Sequence, residues 1–279
     1  MPPSARPQRW LLRKPKGDAP ARLFCFPYSG VGASMYNRWP TRIGQAEVCL
    51  IQLPGRENRL RDPHYGTYEQ LAGPLAEALL PYLDRPFAFF GHCGGALPGF
   101  ATALHLAEAG LPTPAALFVS SQVSPDDGPF GRFLGMTDAE LAEELAQLTR
   151  AMGGTPHPDL IDMSLGVLRA DVDANKAYHL DTPVVLPSDI HAIGWSQDRE
   201  IRPDQMGGWA RFTAPGRHHP VTLPGEHYAF LQAPEVLTKV IEDGMLRALE
   251  QAEPLTAPAA PAAPGATGGG AAGGALAHF

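Results

Sequence analysis

Cysteine is scarce in this chain of 279 residues, which contains three: Cys25, Cys49 and Cys93. Three widely spaced cysteines without a C-x-x-C pair argue against a disulfide framework and a zinc site, and we expect no metal. Cys25 and Cys49 lie in apolar segments, so we expect both side chains in the core. Long apolar runs are absent too, since none approaches the roughly 20 residues of a membrane span. The first residues contain no apolar signal core, and we therefore expect a cytoplasmic protein that is not bound to a membrane.

Basic residues are few: 22 lysines and arginines stand against 29 aspartates and glutamates, which gives a formal net charge of −7. No basic run or stripe of basic and aromatic residues offsets that charge, so nucleic acid is not the expected partner. The length suffices for one large α/β domain with a full core. We predict an irregular arm over residues 1–20, a domain over 21–250, and a disordered tail rich in Ala, Pro and Gly over 251–279.

Short apolar segments alternate with helical patterns along most of the chain. Short apolar segments bounded by Pro and Gly are typical of buried strands. The predicted strands are residues 22–26, 47–53, 87–90, 115–121, 190–194 and 219–223, with a short edge strand at 10–13. The helical patterns cover residues 68–83, 94–109 and 234–250. This alternation predicts a mostly parallel sheet with helices on both faces.

The alternation is interrupted between about residues 125 and 181. Two helical patterns, at 137–152 and 159–179, follow each other there without a strand between them, and Thr137 and Glu140 have the spacing of a capping box. An insertion at the carboxyl edge of a parallel sheet is where a substrate lid would lie. Its larger apolar residues are expected either to line a substrate chamber or simply to pack between helices. They are Met136, Met152, Met163, Leu165 and Leu168.

The predicted strand at 87–90 runs directly into Gly91-His92-Cys93-Gly94-Gly95, and a helical pattern rich in Ala and Leu follows. A nucleophile at a sharp strand-to-helix turn has a strained backbone and needs small neighbours, which Gly91 and Gly95 provide. The start of the helix offers free amides and the positive end of the dipole, which favour a thiolate. We therefore predict that Cys93 is a nucleophile. A serine at this position would give the G-x-S-x-G turn of α/β-hydrolases.

The acid that would orient the catalytic base is expected between the nucleophile and that base in the chain. We predict Asp198, because it follows the strand at 190–194 and would lie over the sheet edge. Asp189 and Asp204 are the alternatives. Asp189 precedes the strand and Asp204 begins the next helix, so we expect both to be solvated.

The predicted base is His227, which comes directly after the last predicted strand. His218 and His219 come before that strand, at the opposite end. His92 lies inside the turn itself, where we expect it to pack or to shape the backbone. The order Cys93, Asp198, His227 is the chain order of α/β-hydrolase triads.

Five ordered motifs resemble those of the type II thioesterases that accompany polyketide synthases and nonribosomal peptide synthetases. They are LFCFPYSG at 23–30, LPGRE at 53–57, GHCGG at 91–95, LRAD at 168–171 and GEHY at 225–228. The resemblance covers about residues 22–249 and implies an α/β-hydrolase fold. It also implies a substrate carried as a thioester on the phosphopantetheine arm of an acyl or peptidyl carrier protein, with no cofactor of the enzyme's own.

The same resemblance assigns the catalytic triad to Cys93, Asp198 and His227, and the oxyanion hole to the backbone amides of Ser29 and Gly94. Members of that family usually have serine at the position of Cys93, and His-Ala-Gly-Gly where this chain has residues 28–31. With cysteine, the acyl-enzyme would be a thioester, close in free energy to the substrate. We expect hydrolysis of the acyl group, with its transfer to another carrier or to an amine as the alternative. A carrier-binding scaffold without catalysis is a third hypothesis, which the complete set of catalytic residues argues against.

Three arginines follow the strand at 47–53, at the carboxyl edge of the predicted sheet. They are Arg56, Arg59 and Arg61. Two interpretations remain open for them: contact with an acidic carrier domain, or ordinary solvated loop charges.

Overall fold

Within residues 10–251, which the computed structural model describes, seven strands pair into one sheet in the order β2-β3-β1-β4-β5-β6-β7. The strands are β1 (Ala21–Phe26), β2 (Arg42–Ile43), β3 (Ala46–Leu50), β4 (Phe87–His92), β5 (Ala116–Ser120), β6 (Asp189–Trp195) and β7 (His218–Leu223). β2 is antiparallel to β3, and every other neighbouring pair in the order is parallel. The predicted parallel sheet is confirmed, with strand ends shifted by a few residues. Residues 1–9 of the predicted arm and 252–279 of the predicted tail lie outside the described residues.

The central strands are buried on both faces because helices cover each side. Successive side chains of a strand point to opposite faces, and the two faces carry separate apolar clusters. Phe24 and Phe89 belong to one cluster, whereas Leu23 and Phe90 belong to the other. This two-sided burial is the reason that these strands are continuously apolar rather than alternating.

Five α-helices surround the sheet. They are α1 (Tyr68–Leu79), α2 (Ala96–Glu108), α3 (Asp138–Ala151), α4 (Pro158–Ala177) and α5 (Glu235–Gln251). α1 is shorter than the predicted 68–83, and a 3₁₀ turn at Leu80–Tyr82 replaces its end, because Pro81 has no N–H to donate to the helix. No helix within residues 10–251 combines the length and apolarity that crossing a membrane would require.

α3 and α4 follow each other between β5 and β6, as the interruption of the strand pattern predicts. The Thr137 hydroxyl accepts from the Glu140 amide at 3.4 Å, and the Glu140 carboxylate accepts from the Thr137 amide at 2.7 Å, so the predicted capping box starts α3. Both helices bury apolar side chains in the cluster on one face of the sheet, Leu145 and Leu168 among them.

The predicted edge strand at 10–13 is reduced to a single antiparallel bridge between Leu11 and Ile51. The Leu12 amide donates to the Leu50 carbonyl at 3.0 Å, and the Gln52 amide donates to the Trp10 carbonyl at 2.8 Å. The segment therefore borders the end of β3 without extending the sheet.

Candidate active site

The turn after β4 has the strained geometry of a nucleophile turn. Cys93 has φ = +48°, a left-handed conformation that non-glycine residues rarely adopt. A Cβ on Gly91 would collide with the Gly95 carbonyl, and a Cβ on Gly95 would lie 2.7 Å from the Pro27 carbonyl oxygen. Cys93 is half-buried, whereas Cys25 and Cys49 are buried in the core, as predicted. The small neighbours are thus required by backbone contacts on both sides of the cysteine.

Asp198 lies three residues beyond the end of β6 and is buried. Its Oδ1 accepts from the amides of Glu200 at 2.8 Å and Ile201 at 3.2 Å, and its Oδ2 accepts from the Ser121 hydroxyl at 2.7 Å. Burial alone would raise the pKa of Asp198, but the hydrogen bonds with His227 and Ser121 outweigh it and lower that pKa. Asp198 is therefore a fixed carboxylate.

His227 begins a 3₁₀ turn just after β7, and its Nδ1 lies 2.9 Å from Asp198 Oδ2. Because Nδ1 faces Asp198, Nε2 is the nitrogen available to a thiol. Cys93 Sγ, a ring nitrogen of His227 and a carboxylate oxygen of Glu200 all lie within 4.8 Å of one another. The structure thus brings the three predicted catalytic residues together.

The protonation of His227 is set by these neighbours. Burial alone would lower its pKa, but the hydrogen bond with Asp198 and the nearby Cys93 raise the pKa of His227 to about 10. The raised pKa favours the protonated ring, which places a positive charge beside Cys93.

The predicted oxyanion residues lie beside the cysteine. Ser29, Cys93 and Gly94 line one cavity, and Gly94 faces the Ser29 side chain so closely that a Cβ there would collide with the Ser29 hydroxyl. The assignment of the Ser29 and Gly94 amides to an oxyanion hole stays a prediction.

The rings of Tyr28 and His92 both pack against His227. The Tyr28 hydroxyl lies 3.3 Å from His227 Nε2. His92 Nδ1 lies 2.8 Å from the Ser120 hydroxyl, and its ring stacks on Phe230 at 3.8 Å, so His92 packs under the turn as expected. Tyr28 sits in the first recognised motif, and only the fold shows that it reaches the imidazole.

Asp171 on α4 is a buried carboxylate that binds residues of two loops, one at Gly30 and one at 56–65. We call this group the Asp171 hub. Asp171 Oδ2 accepts from the Gly30 amide at 2.8 Å, and the carboxylate makes a two-point pair with Arg56 at 2.8 and 2.9 Å. His64 Nε2 and the Tyr65 hydroxyl each contact Oδ1 at 2.7 Å. Burial would raise the pKa of Asp171, but Arg56 and His64 lower it well below its usual range. The loop that carries Ser29 is therefore held from α4.

For Arg56 and Arg59, both interpretations are wrong: neither contact with a carrier domain nor a solvated loop charge fits their burial. Arg56 and Arg59 are 3% and 5% exposed, because their guanidinium groups pair with Asp171 and Asp62. Neither is a solvated loop charge, and neither is available to a partner. Arg61 alone is exposed, so both interpretations stay open for it.

The expectation that Asp189 is solvated is also wrong, whereas Asp204 is exposed as expected. Asp189 is the first residue of β6, is buried, and accepts from Arg217 Nε at 2.5 Å. It joins a cluster with His191 and His219 at the amino ends of β6 and β7, away from Cys93. An arginine already holds the carboxylate in this cluster, as Arg132 does for Glu200 near Cys93. In both groups the carboxylate is thus already paired with an arginine, and the absence of a metal stays a prediction.

Of the five larger apolar residues of the insertion, some line a cavity and others pack into the core. A cavity of about 370 Å³ lies between α3, α4 and the loops at residues 30–34 and 55–60, and Met152 and Met163 line it. Met136, Leu165 and Leu168 instead pack into the core, Leu168 directly against Gly30. The cavity at Cys93 is separate and measures only about 20 Å³. Cys93 is not among the residues that line the larger cavity.

The geometry agrees with the sequence-level comparison. A family model described as a thioesterase domain matches residues 21–244. The chain belongs to the thioesterase family.

Relatives of this thioesterase match over most of their own length. Linear gramicidin dehydrogenase LgrE of Brevibacillus parabrevis is 35% identical over 247 residues, which cover 85% of this chain and 92% of the relative. Gramicidin S biosynthesis protein GrsT of Aneurinibacillus migulanus is 34% identical, with 75% and 83% covered. Among solved structures, RedJ, a thioesterase from the prodiginine biosynthetic pathway in Streptomyces coelicolor, is 33% identical with a TM-score of 0.68. That match covers 81% of this chain and 91% of RedJ. The family assignment makes this chain an enzyme that acts on thioesters.

Proposed function

We propose that this thioesterase hydrolyses acyl groups carried on the phosphopantetheine arm of a carrier protein, in polyketide or nonribosomal peptide biosynthesis. The observation that carries the proposal is the contact group of Cys93, His227 and Asp198 at a left-handed turn. Relatives named for linear gramicidin, gramicidin S and prodiginine support the pathway class.

Acylation begins with the Cys93 thiolate, which attacks the carbonyl carbon of the carrier thioester. The resulting oxyanion would lie against the amides of Ser29 and Gly94, each worth roughly 3 to 4 kcal/mol in comparable sites. As the tetrahedral intermediate collapses, the carbon–sulfur bond to pantetheine breaks and the His227 imidazolium gives its proton to the leaving thiolate. The products are an acyl-Cys93 thioester and a free pantetheine thiol.

Deacylation uses the now neutral imidazole. His227 takes a proton from a water molecule that attacks the acyl carbon, and Asp198 stabilises the imidazolium that forms. The carbon–sulfur bond to Cys93 then breaks, which releases the free acid and regenerates the thiolate and imidazolium pair.

Acyl transfer is a second candidate because the nucleophile is a cysteine. An acyl-Cys thioester and a carrier thioester have similar free energies, so acylation is nearly reversible and a second carrier thiol or an amine can compete with water. The same covalent intermediate serves both outcomes, and only the acceptor differs.

A carrier protein loaded with a radiolabelled acyl group tests the proposal. We expect label to appear as free acid, or on a second carrier, and to pass through a hydroxylamine-sensitive adduct on the peptide that contains Cys93. Cys93→Ala should lower turnover by about a thousandfold or more, since it removes the covalent nucleophile.

Cys49→Ala is the matched control, because Cys49 is buried in β3 away from the turn. It should retain activity. A Cys93→Ala enzyme that keeps more than about a tenth of wild-type turnover would rule out the covalent mechanism.

A further inference from the structure

Ser121, directly after the last residue of β5, has a backbone conformation that serine rarely adopts. Its φ is +45°, in the left-handed region, and the residue is buried. That conformation is strained for any residue with a Cβ, whereas glycine adopts it freely. The benefit that offsets the strain is therefore expected to come from the serine side chain, which ends in a single hydroxyl group.

The hydroxyl of Ser121 is used on the acid of the proposed triad. It donates to Asp198 Oδ2 at 2.7 Å, the same oxygen that lies 2.9 Å from His227 Nδ1. The other oxygen, Asp198 Oδ1, accepts from the backbone amides of residues 200 and 201. Among the described residues, Ser121 is thus the only side chain besides His227 that binds this carboxylate.

The partners of the Asp198 carboxylate differ in what holds them. The two amides lie two and three residues further along the same loop, so they move together with Asp198. Ser121 instead follows a central strand, since β5 pairs with β4 on one side and with β6 on the other. The Ser121 amide also donates to the Ile193 carbonyl at 3.0 Å. The hydroxyl of Ser121 therefore ties the carboxylate to the sheet.

Resting on the proposed function, we infer that Ser121 is a positioning residue, which fixes the Asp198 carboxylate in the rotation at which Oδ2 faces His227 Nδ1. Without the hydroxyl, only the amides of its own loop set that rotation, and the imidazole loses a fixed partner. A small displacement of a catalytic group costs up to about a hundredfold in rate. Ser121 is not among the residues that line either cavity, so substrate binding should not depend on it.

Ser121→Ala and Ser121→Gly test the inference, because both remove the hydroxyl but differ in backbone strain. With the N-acetylcysteamine thioester of propionate, both should lower kcat by about fivefold or more and change KM by less than about twofold. Ser121→Gly should nevertheless have a higher Tm than Ser121→Ala, because glycine is not strained at this turn. A purely structural role would instead make the more stable variant the more active one.

Ser188→Ala is the matched control. Ser188 is also a buried serine, and its hydroxyl donates to the Pro114 carbonyl at 2.6 Å. It directly precedes β6, at the end of that strand opposite to Asp198. The variant loses a comparable buried hydrogen bond, but kcat and KM should each stay within about twofold of wild type.

A kcat that falls by less than about fivefold in both Ser121 variants overturns the positioning role. Activity that recovers in Ser121→Gly together with its Tm does so too, since it would assign Ser121 to fold stability. If Ser121→Ala does not fold, the kcat of Ser121→Gly decides alone. Hydrolysis that survives Cys93→Ala would refute the proposed function, whereas Cys93-dependent hydrolysis with unchanged kcat in the Ser121 variants refutes only this inference.

Discussion

The backbone of Cys93 is left-handed because β4 must turn at once into α2 and present a side chain above the sheet edge. Non-glycine residues in this conformation cost of order 1 to 3 kcal/mol, and the surrounding structure must hold them there. Gly91 and Gly95 make that possible because their missing side chains leave room for backbone carbonyls. The identity of the nucleophilic atom is then free to vary without a change in the turn.

Cys93→Ser should shift the balance from transfer to hydrolysis. The acyl-enzyme becomes an oxygen ester, which lies lower in free energy than the carrier thioester, so return of the acyl group to a thiol is uphill. With labelled carrier and an unloaded acceptor carrier, we expect the ratio of transferred to hydrolysed label to fall about fivefold or more, and total turnover to fall as well. An unchanged ratio would show that acceptor binding, rather than the nucleophile, sets the outcome.

Among secondary-structure elements, α4 bears most directly on the site although it contributes no triad residue. Asp171 fixes the Gly30 amide and the Arg56 guanidinium, and Leu168 packs against Gly30 one turn away. Movement of α4 therefore also changes the position of the adjacent Ser29. α4 and the predicted oxyanion loop are therefore in direct contact.

Asp171→Asn should destabilise the fold by about 3 to 5 kcal/mol, because it leaves the Arg56 charge buried without a counterion. The measurement is urea unfolding at several pH values. The folded-state pKa of Asp171 is lowered, so its contribution is present at neutral pH and is lost as the pH falls. The difference in the free energy of unfolding between wild type and variant should therefore shrink below about pH 4, where an unfolded aspartate gains its proton.

Asp173→Asn is the control, since Asp173 lies on the same helix and is exposed. Its effect on the free energy of unfolding should be within about 0.5 kcal/mol of zero. Equal effects of the two substitutions would show that the Asp171 hub contributes nothing beyond helix charge.

In the whole molecule, the sheet topology brings the reacting groups to one edge. Cys93, Asp198 and His227 follow β4, β6 and β7, whose carboxyl ends meet at that edge because the strands are parallel. The insertion between β5 and β6 lies over the same edge, and the cavity it leaves at Cys93 is about 20 Å³. That volume is close to a single water molecule, so we expect the insertion to move when an acyl group enters.

Hydrogen exchange should locate that movement. A pantetheine analogue with a propionyl group in amide linkage cannot be hydrolysed and should change exchange rates in α3 and α4 by about tenfold, while β4 and β5 stay unchanged. Cys93→Ala enzyme with the same analogue serves to exclude effects of the thiol. If the analogue changes exchange rates only in α5, or in no element, then the acyl group does not enter by movement of the insertion.

Much of this arrangement follows from local sequence. Apolar runs locate the strands, and the Thr137 and Glu140 spacing locates the start of α3. Long-range pairing is different: Arg56 and Asp171 are 115 positions apart, and nothing near either residue indicates the other. The burial of Asp189 likewise depends on Arg217, which approaches through the pairing of β6 with β7.

The position of Glu200 beside His227 is unpredictable for a related reason. Its position two residues after Asp198 was visible, but its contacts with Arg132 and His227 require three separate segments to meet. Cavity shape is also beyond local pattern, because it depends on how α3 and α4 pack against the loops at residues 30–34 and 55–60.

At Cys93, the left-handed turn places fold stability and catalytic activity in conflict. Glycine accepts that conformation without strain, so a chain with Cys93→Gly would relax the turn while it lost its sulfur. Selection for heat resistance alone would therefore act against the very residue on which turnover depends.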